Sequence, residues 1–150
     1  MLGITLTVND MTNWNDNIIT EFRDNDGKVG GHWAGAHLLL LTTTGAKSGE
    51  SRVSPMMYFT EPDGIYVIAS KGGTPENPAW YHNLLVHPDV KVEQSTDQGV
   101  ASYEATAEPV EREKRDELFA KFAAKAPGFA GYQLKTDRII PVVAIRPKVA

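Results

Sequence analysis

The 150 residues contain no cysteine, which excludes disulfides, thiolate metal ligation and a thiol nucleophile together. Positive charge is also short. Fifteen Lys and Arg stand against nineteen Asp and Glu, and the net charge of −4 has the wrong sign for a general nucleic-acid binder, whose grip comes from clustered cations. No apolar run reaches the length that a membrane span needs. Met1 to Val8 lacks a basic n-region and runs into Asn9-Asp10, and residue 2 is Leu rather than Gly, so neither a secretory signal nor a myristoylation pattern is read; a cytoplasmic chain is expected. A chain of this length is expected to form one domain over residues 1–150, with a core that needs no covalent staple.

Several catalytic signatures are missing as well. Lys47-Ser48 is preceded by Ala46 and followed by a strand-like segment, whereas a nucleotide P-loop needs Gly-Lys-Ser/Thr and a helix. No G-x-G-x-x-G offers a Rossmann site, and no G-x-S-x-G offers a hydrolytic serine. The four histidines are scattered, and His82 and His87 stand five apart, off a common helix face; no metal site is expected.

What is present reads as strands with a few helices. Met11, Trp14, Ile18, Ile19 and Phe22 recur at spacings of three and four, one apolar face of a helix over about 11–25. Its polar face is too acidic for a membrane-surface helix, so peripheral membrane contact is not expected. Gly30 to Gly35 reads as a turn-rich link. Strands are predicted over His37–Thr44, Arg52–Thr60, Ile65–Ser70, Val90–Gln94, Val100–Glu108 and Ile139–Arg146, with Pro141 marking an edge or a strand start. Asn77 is predicted to cap a short helix that His87-Pro88 stops, and Pro109 to open another running to about Ala124. On that helix, Glu111/Arg115 and Glu117/Lys121 have the spacing of i,i+4 pairs on a solvated face. Short connections imply antiparallel neighbours, so the fold expected is mainly β: a six-stranded antiparallel barrel with three flanking helices.

Against the acidic background, Gly45-Ala46-Lys47-Ser48-Gly49-Glu50-Ser51-Arg52 concentrates cations, hydroxyls and glycines between two apolar strands. Tight turning and exposed N–H groups there suit an anionic, phosphate-bearing ligand, although an ordinary exposed hairpin has the same outline. Ser70-Lys71-Gly72-Gly73 then permits close backbone approach to a ligand, and Trp80 and Tyr81 offer flat surfaces or plain helix packing. Together the two loops suggest a site for something aromatic and anionic.

Leu41 to Gly49, Arg52 to Met56, Ser70 to Gly73, Asn77 to Leu84 and Thr136 to Val142, in that order, resemble the deazaflavin-dependent nitroreductase family, whose enzymes use reduced coenzyme F420. With Glu21-Phe22-Arg23 and Gly27 to Gly31 the likeness spans roughly residues 14–147. The resemblance implies a split β-barrel like that of flavin-binding pyridoxamine-phosphate-oxidase relatives. It implies that Lys47, Ser48, Gly49 and Arg52 hold the phosphate and acidic tail, and that Pro55, Met56, Ala69, Ser70, Lys71 and Gly72 line the ring and ribityl chain. It also implies that Trp80 and Asn83, on the helix closing over the site, bind the cofactor. The expected reaction is hydride transfer to a small electron-poor acceptor such as a quinone, an activated enone or a nitroaromatic. Tyr132 and Ser70 are candidates to stabilise the acceptor's developing charge, and Tyr132 or water to deliver the proton. The family often carries several tyrosines near its C-terminal helix; here Ala126 to Tyr132 supplies Tyr132 and, where another aromatic is common, Phe129. An FMN- or FAD-dependent oxidoreductase on the same barrel, and a non-catalytic flavin or haem carrier, are the alternatives. Oligomeric state is not readable from the sequence.

Overall fold

The structure is a computed structural model that describes residues 8–30 and 37–148, with side chains from residue 16 onward. The predicted link at Gly31 to Gly35, and the side chains of Met11 and Trp14, lie outside the described residues. Among the described residues the elements in order are α1 (Val8–Asp24), β1 (Leu38–Thr44), β2 (Ser51–Met57), β3 (Phe59–Glu61), β4 (Gly64–Ile68), α2 (Ala79–Val86), β5 (Asp89–Thr96), β6 (Gly99–Pro109), α3 (Arg112–Lys125), α4 (Gly128–Leu134) and β7 (Val142–Pro147), with a 3-10 turn at Lys71–Gly73. All seven strands belong to one antiparallel sheet in the order β2-β1-β5-β6-β7-β4-β3.

That order accounts for the shape. β2 and β3 occupy opposite edges of the sheet yet are separated in sequence by Tyr58 alone. The sheet must therefore curl until its edges approach, giving a half-barrel. The single strand expected over Arg52–Thr60 is thus two: the chain leaves β1 as its partner, bends at Tyr58 and joins β4. The Tyr58 hydroxyl donates to the Ser95 carbonyl at 2.5 Å, tying the bend to β5. Among the described residues, seven strands replace six, and four helices replace three.

Helices cover both sheet faces, and the sequence shows why. Leu38 to Leu41 are all fully buried, because successive residues point to opposite sides and both sides are covered. Leu39 and Leu41 pack inside the curl with Val67, Leu84, Val143 and Ile145. Leu38 and Leu40 pack outside against Ile18 and Phe22 of α1, confirming the described half of the expected apolar helix face. On the far side, Phe59, Tyr66, Val142 and Ala144 meet Leu118, Phe119 and Phe122 of α3. Truncating one such leucine to alanine typically costs about 2–5 kcal/mol.

Helix boundaries and surface pairs depart from expectation in instructive ways. Pro109 closes β6, and α3 begins at Arg112; Pro141 precedes β7, which lies in the sheet interior between β6 and β4. Pro78, not Asn77, occupies the cap of α2, because the Asn77 side chain is bound elsewhere. Neither expected i,i+4 pair forms on α3. Lys121 reaches Glu61 of β3 at 2.8 Å, Arg115 turns inward, and the i,i+4 pair present is Arg112–Asp116. No described helix is long and apolar enough to cross a membrane, and no described group of side chains has the make-up of a metal site.

Candidate functional site

A cleft of about 530 Å³, within the usual range for small-molecule sites, opens where the curl of the sheet meets α2 and α4. One wall is β2 through Ser54 to Met57. Its other boundaries are the turn Ser70-Lys71-Gly72, Pro78 and Trp80 at the start of α2, and the stretch from Ala126 to Tyr132. Of the residues singled out in the sequence, Pro55, Met56, Ser70, Lys71, Gly72, Trp80 and Tyr132 therefore come together. Lining made of methionine, proline and aromatic rings, with few polar groups, suits a flat and mostly apolar ligand.

The turn at 70–73 is built against local preference. Lys71 has φ +45°, Gly72 +65° and Gly73 +82°. A left-handed lysine carries about 1–3 kcal/mol of strain, and such residues gather where a ligand needs the backbone in an unusual shape. Gly73 is required by contact as well. A Cβ there would lie 2.5 Å from the Tyr132 carbonyl oxygen, so only glycine lets this turn sit on α4. Gly72 faces open space. The Gly73 and Thr74 N–H groups donate within the turn, while those of Ser70, Lys71 and Gly72 have no acceptor among the described residues.

Tyr132 is held from behind. Phe122 stacks on Phe59 with centroids 4.5 Å apart, Phe59 meets Phe129 edge-on at 5.7 Å, and Phe129 meets Tyr132 edge-on at 5.7 Å. This chain of rings runs from the core to the cleft and fixes the tyrosine through its ring. Neither the Tyr132 nor the Ser70 hydroxyl makes a hydrogen bond with another described residue.

Lys47, Ser48, Gly49 and Arg52 do not line the cleft. Arg52 lies on β2 two residues from Ser54, or roughly 7 Å at the rise of a strand, and Lys47, Ser48 and Gly49 form the turn that precedes that strand. The Gly45 N–H donates to Glu50 O, Gly49 N–H to Gly45 O, and Glu50 N–H to Ser48 Oγ. The Lys47 and Ser48 N–H groups are left without an acceptor among the described residues. Lys47 enters no described ion pair, whereas Arg52 lies 3.0 Å from Glu50 at the surface.

Two further sequence candidates, Ala69 and Asn83, do not line the cleft. Ala69 is fully buried, and its peptide rather than its side chain is engaged, accepting from Arg138 and donating to Pro141 O. Asn83 is 9% exposed beneath the hairpin. Its Oδ1 accepts from the Ala46 N–H at 3.0 Å, and its Nδ2 donates to Thr43 Oγ1 at 3.4 Å. Asn83 thus shapes the loop from one turn of α2 beyond Trp80.

Sequence reasoning missed the polar support behind the cleft. The Arg115 side chain, 11% exposed, donates to Ile140 O and to Gln133 Oε1 and lies over the Phe119 ring. Gln133 in turn donates to Arg138 O at 2.7 Å and accepts from Ile140 N–H at 3.0 Å. Arg138 then donates to the 69–74 backbone. The segment 136–142 was conspicuous in the sequence, but nothing local indicated where Arg138 reaches.

Known proteins give the site a family. The model of the F420H(2)-dependent quinone reductase family matches residues 15–147. The F420H(2)-dependent quinone reductase Rv1261c of Mycobacterium tuberculosis is 36% identical over 130 residues, covering 83% of each chain. A solved F420-H2 dependent reductase (FDR-A) superposes with a TM-score of 0.63 at 39% identity, over 73% of this chain and 93% of that one. HutZ, a haem storage protein of Vibrio cholerae, superposes with a TM-score of 0.58 over 91% of this chain and 92% of that one; at 19% identity it shares the fold alone. With nearly its whole described length matched, this chain belongs to the F420H(2)-dependent quinone reductase family.

Proposed function

We infer that this chain is a reductase that uses coenzyme F420, passing a hydride from its reduced form to a small quinone-type acceptor, and that the cleft and the β1–β2 hairpin are where it does so. The observation that carries the siting is their pairing: an apolar slot beside Trp80 walled by β2, and at the N-terminal end of that same strand Arg52 and a turn with Lys47 and two amides that have no acceptor among the described residues. Coenzyme F420 has the same two parts, a flat deazaflavin and a tail bearing a phosphodiester and glutamates. The curled sheet is the split β-barrel of the flavin-reductase and pyridoxamine-phosphate-oxidase type in this reading, and residues 1–150 act as one domain.

When bound, the reduced coenzyme supplies the hydride, and the acceptor gains a proton to leave as the quinol. The chain's own residues do the rest. Lys47, Arg52 and the Lys47 and Ser48 N–H groups bind the anionic tail, and Gly49 lets the turn close. Pro55, Met56 and Trp80 hold the ring, with Ser70, Lys71 and Gly72 at its edge. Fixing two reactants in one slot removes much of the entropic barrier to their reaction. The Tyr132 and Ser70 hydroxyls, unpartnered among the described residues, donate to the acceptor oxygen as charge builds on it. The Tyr132 hydroxyl or a water at the open mouth delivers the proton.

Titration with coenzyme F420, FMN and FAD, followed by anaerobic turnover with a quinone, tests this reading. Tight binding of coenzyme F420 alone, and its oxidation only when quinone is added, is the expected result. Preference for FMN or FAD would establish the flavoenzyme alternative, and binding without turnover the carrier. For Tyr132→Phe, kcat should fall about tenfold or more with KM for the coenzyme little changed, the pattern of an interaction made in the transition state. Equal turnover with several quinones would reduce Tyr132 to a packing residue.

A further inference from the structure

Arg138 reaches the 70–73 turn without itself lining the cleft. Its Nε donates to Thr74 O at 2.9 Å, Nη1 to Ala69 O at 3.2 Å and to Asn77 Oδ1 at 2.8 Å, and Nη2 to Ser70 O at 2.6 Å. Three backbone carbonyls within six residues are thus gathered onto one planar guanidinium. The arginine is itself fixed: its N–H donates to Thr136 Oγ1, and its carbonyl accepts from Gln133, which Arg115 holds in place from α3. Arg138 does not line the cleft and has no carboxylate partner among the described residues. Its full positive charge therefore stands against the backbone carbonyls of this turn.

We propose that Arg138 is a positioning residue for coenzyme F420, holding Ser70, Lys71 and Gly72 in the strained shape in which their N–H groups stay free and face an anionic edge of the ligand. Ser70 is right-handed (φ −78°, ψ −40°) and Lys71 left-handed, and that alternation turns successive N–H groups onto one concave side. Without the guanidinium, a left-handed lysine has little reason to persist, and the carbonyls of Ala69, Ser70 and Thr74 lose a common partner. A lysine at 138 has one point of attachment and cannot replace a rigid fork that binds four oxygens. The uncompensated charge adds to the attraction for an anionic ligand. This proposal rests on the cofactor reading above.

The test is a fluorescence titration with coenzyme F420, with steady-state kinetics and Tm, on the wild type, Arg138→Ala, Arg138→Lys and Asn77→Ala. Arg138→Ala should raise Kd and KM for the coenzyme by about tenfold or more, the scale seen when a supporting partner of a bound group is lost. KM for the quinone should not change, and added guanidinium should restore part of the coenzyme affinity in Arg138→Ala alone. Arg138→Lys should lie nearer to Arg138→Ala than to the wild type, and Asn77→Ala, which removes one bond of the four, should have the smallest effect. A folded Arg138→Ala with unchanged Kd, or one whose KM values are untouched and which guanidinium does not rescue, would overturn the proposal. If Arg138→Ala does not fold, the other two variants decide: raised Kd at near-normal Tm supports it, and unchanged Kd in both overturns it. Failure of the wild type to bind coenzyme F420 would instead overturn the cofactor reading itself.

Discussion

At Lys71 the backbone takes a shape that glycine adopts freely and lysine does not. The position keeps a charge at the mouth of the cleft at the expense of stability. Lys71→Gly should therefore relieve up to about 1–2 kcal/mol of left-handed strain, partly offset by glycine's greater unfolded-state entropy. A Tm raised by a few degrees together with weaker binding of coenzyme F420 is expected, read by thermal melt and titration on the same sample. A lower Tm with unchanged binding would show that the lysine is there for packing. Asn83 makes the complementary point: a residue that the sequence placed at the cofactor accepts a hydrogen bond from the Ala46 N–H and so shapes the loop. The residue type was informative in the sequence; the partner was not.

The three consecutive left-handed residues at 71–73 differ in what they tolerate. Gly73→Ala sets a methyl group 2.5 Å from a backbone oxygen of α4, whereas Gly72→Ala meets nothing within 4 Å. Both variants incur the left-handed penalty of about 1–2 kcal/mol. Gly73→Ala should add displacement of α4 and with it Tyr132, so that melting temperature and turnover fall together and further than in Gly72→Ala. Comparable losses in the two variants would contradict the close approach of turn and helix. Elements of this kind were only partly legible in the sequence. The hairpin at Gly45–Arg52 announced itself through turn residues, and α1 through its 3.6-residue period, because each signal is local. The bend at Tyr58 carried no such signal, since an apolar run that changes partner looks like one that does not. The inward turn of Arg115, the reach of Lys121 to Glu61 and the capture of Asn77 by Arg138 depend on residues 25, 60 and 61 positions away. Side-chain spacing along a helix proposes neighbours, and tertiary packing chose others.

Across the whole molecule, an acidic chain carries two pairs of cations, Lys47 and Arg52 at the β1–β2 hairpin and Lys71 and Arg138 at the 70–73 turn, while much of its remaining charge fastens helices to the sheet. Asp63 in the β3–β4 turn accepts from Lys114 of α3 at 2.8 Å and from the Tyr66 hydroxyl at 2.8 Å. The Lys114 hydrogen bond, then that of Tyr66, holds the Asp63 carboxyl below its ordinary range. A depressed folded-state value means stability that is present above the unfolded carboxyl pKa and is lost as pH falls through the folded one. Asp63→Asn should accordingly flatten the fall of Tm with pH below about pH 4, near the ordinary aspartate value. An acid limb identical to the wild type would remove Asp63 from it.

The proposed grip of the hairpin on a charged tail is best tested by comparing the affinity for coenzyme F420 with that for the same deazaflavin cut back to its ribityl alcohol. Each charge-assisted contact contributes about 1.5–3 kcal/mol, so the wild type should favour the tailed molecule by at least about tenfold. Lys47→Ala combined with Arg52→Ala should erase that preference while leaving Tm and the affinity for the truncated molecule unchanged. Equal affinity of the wild-type chain for the two molecules would contradict it.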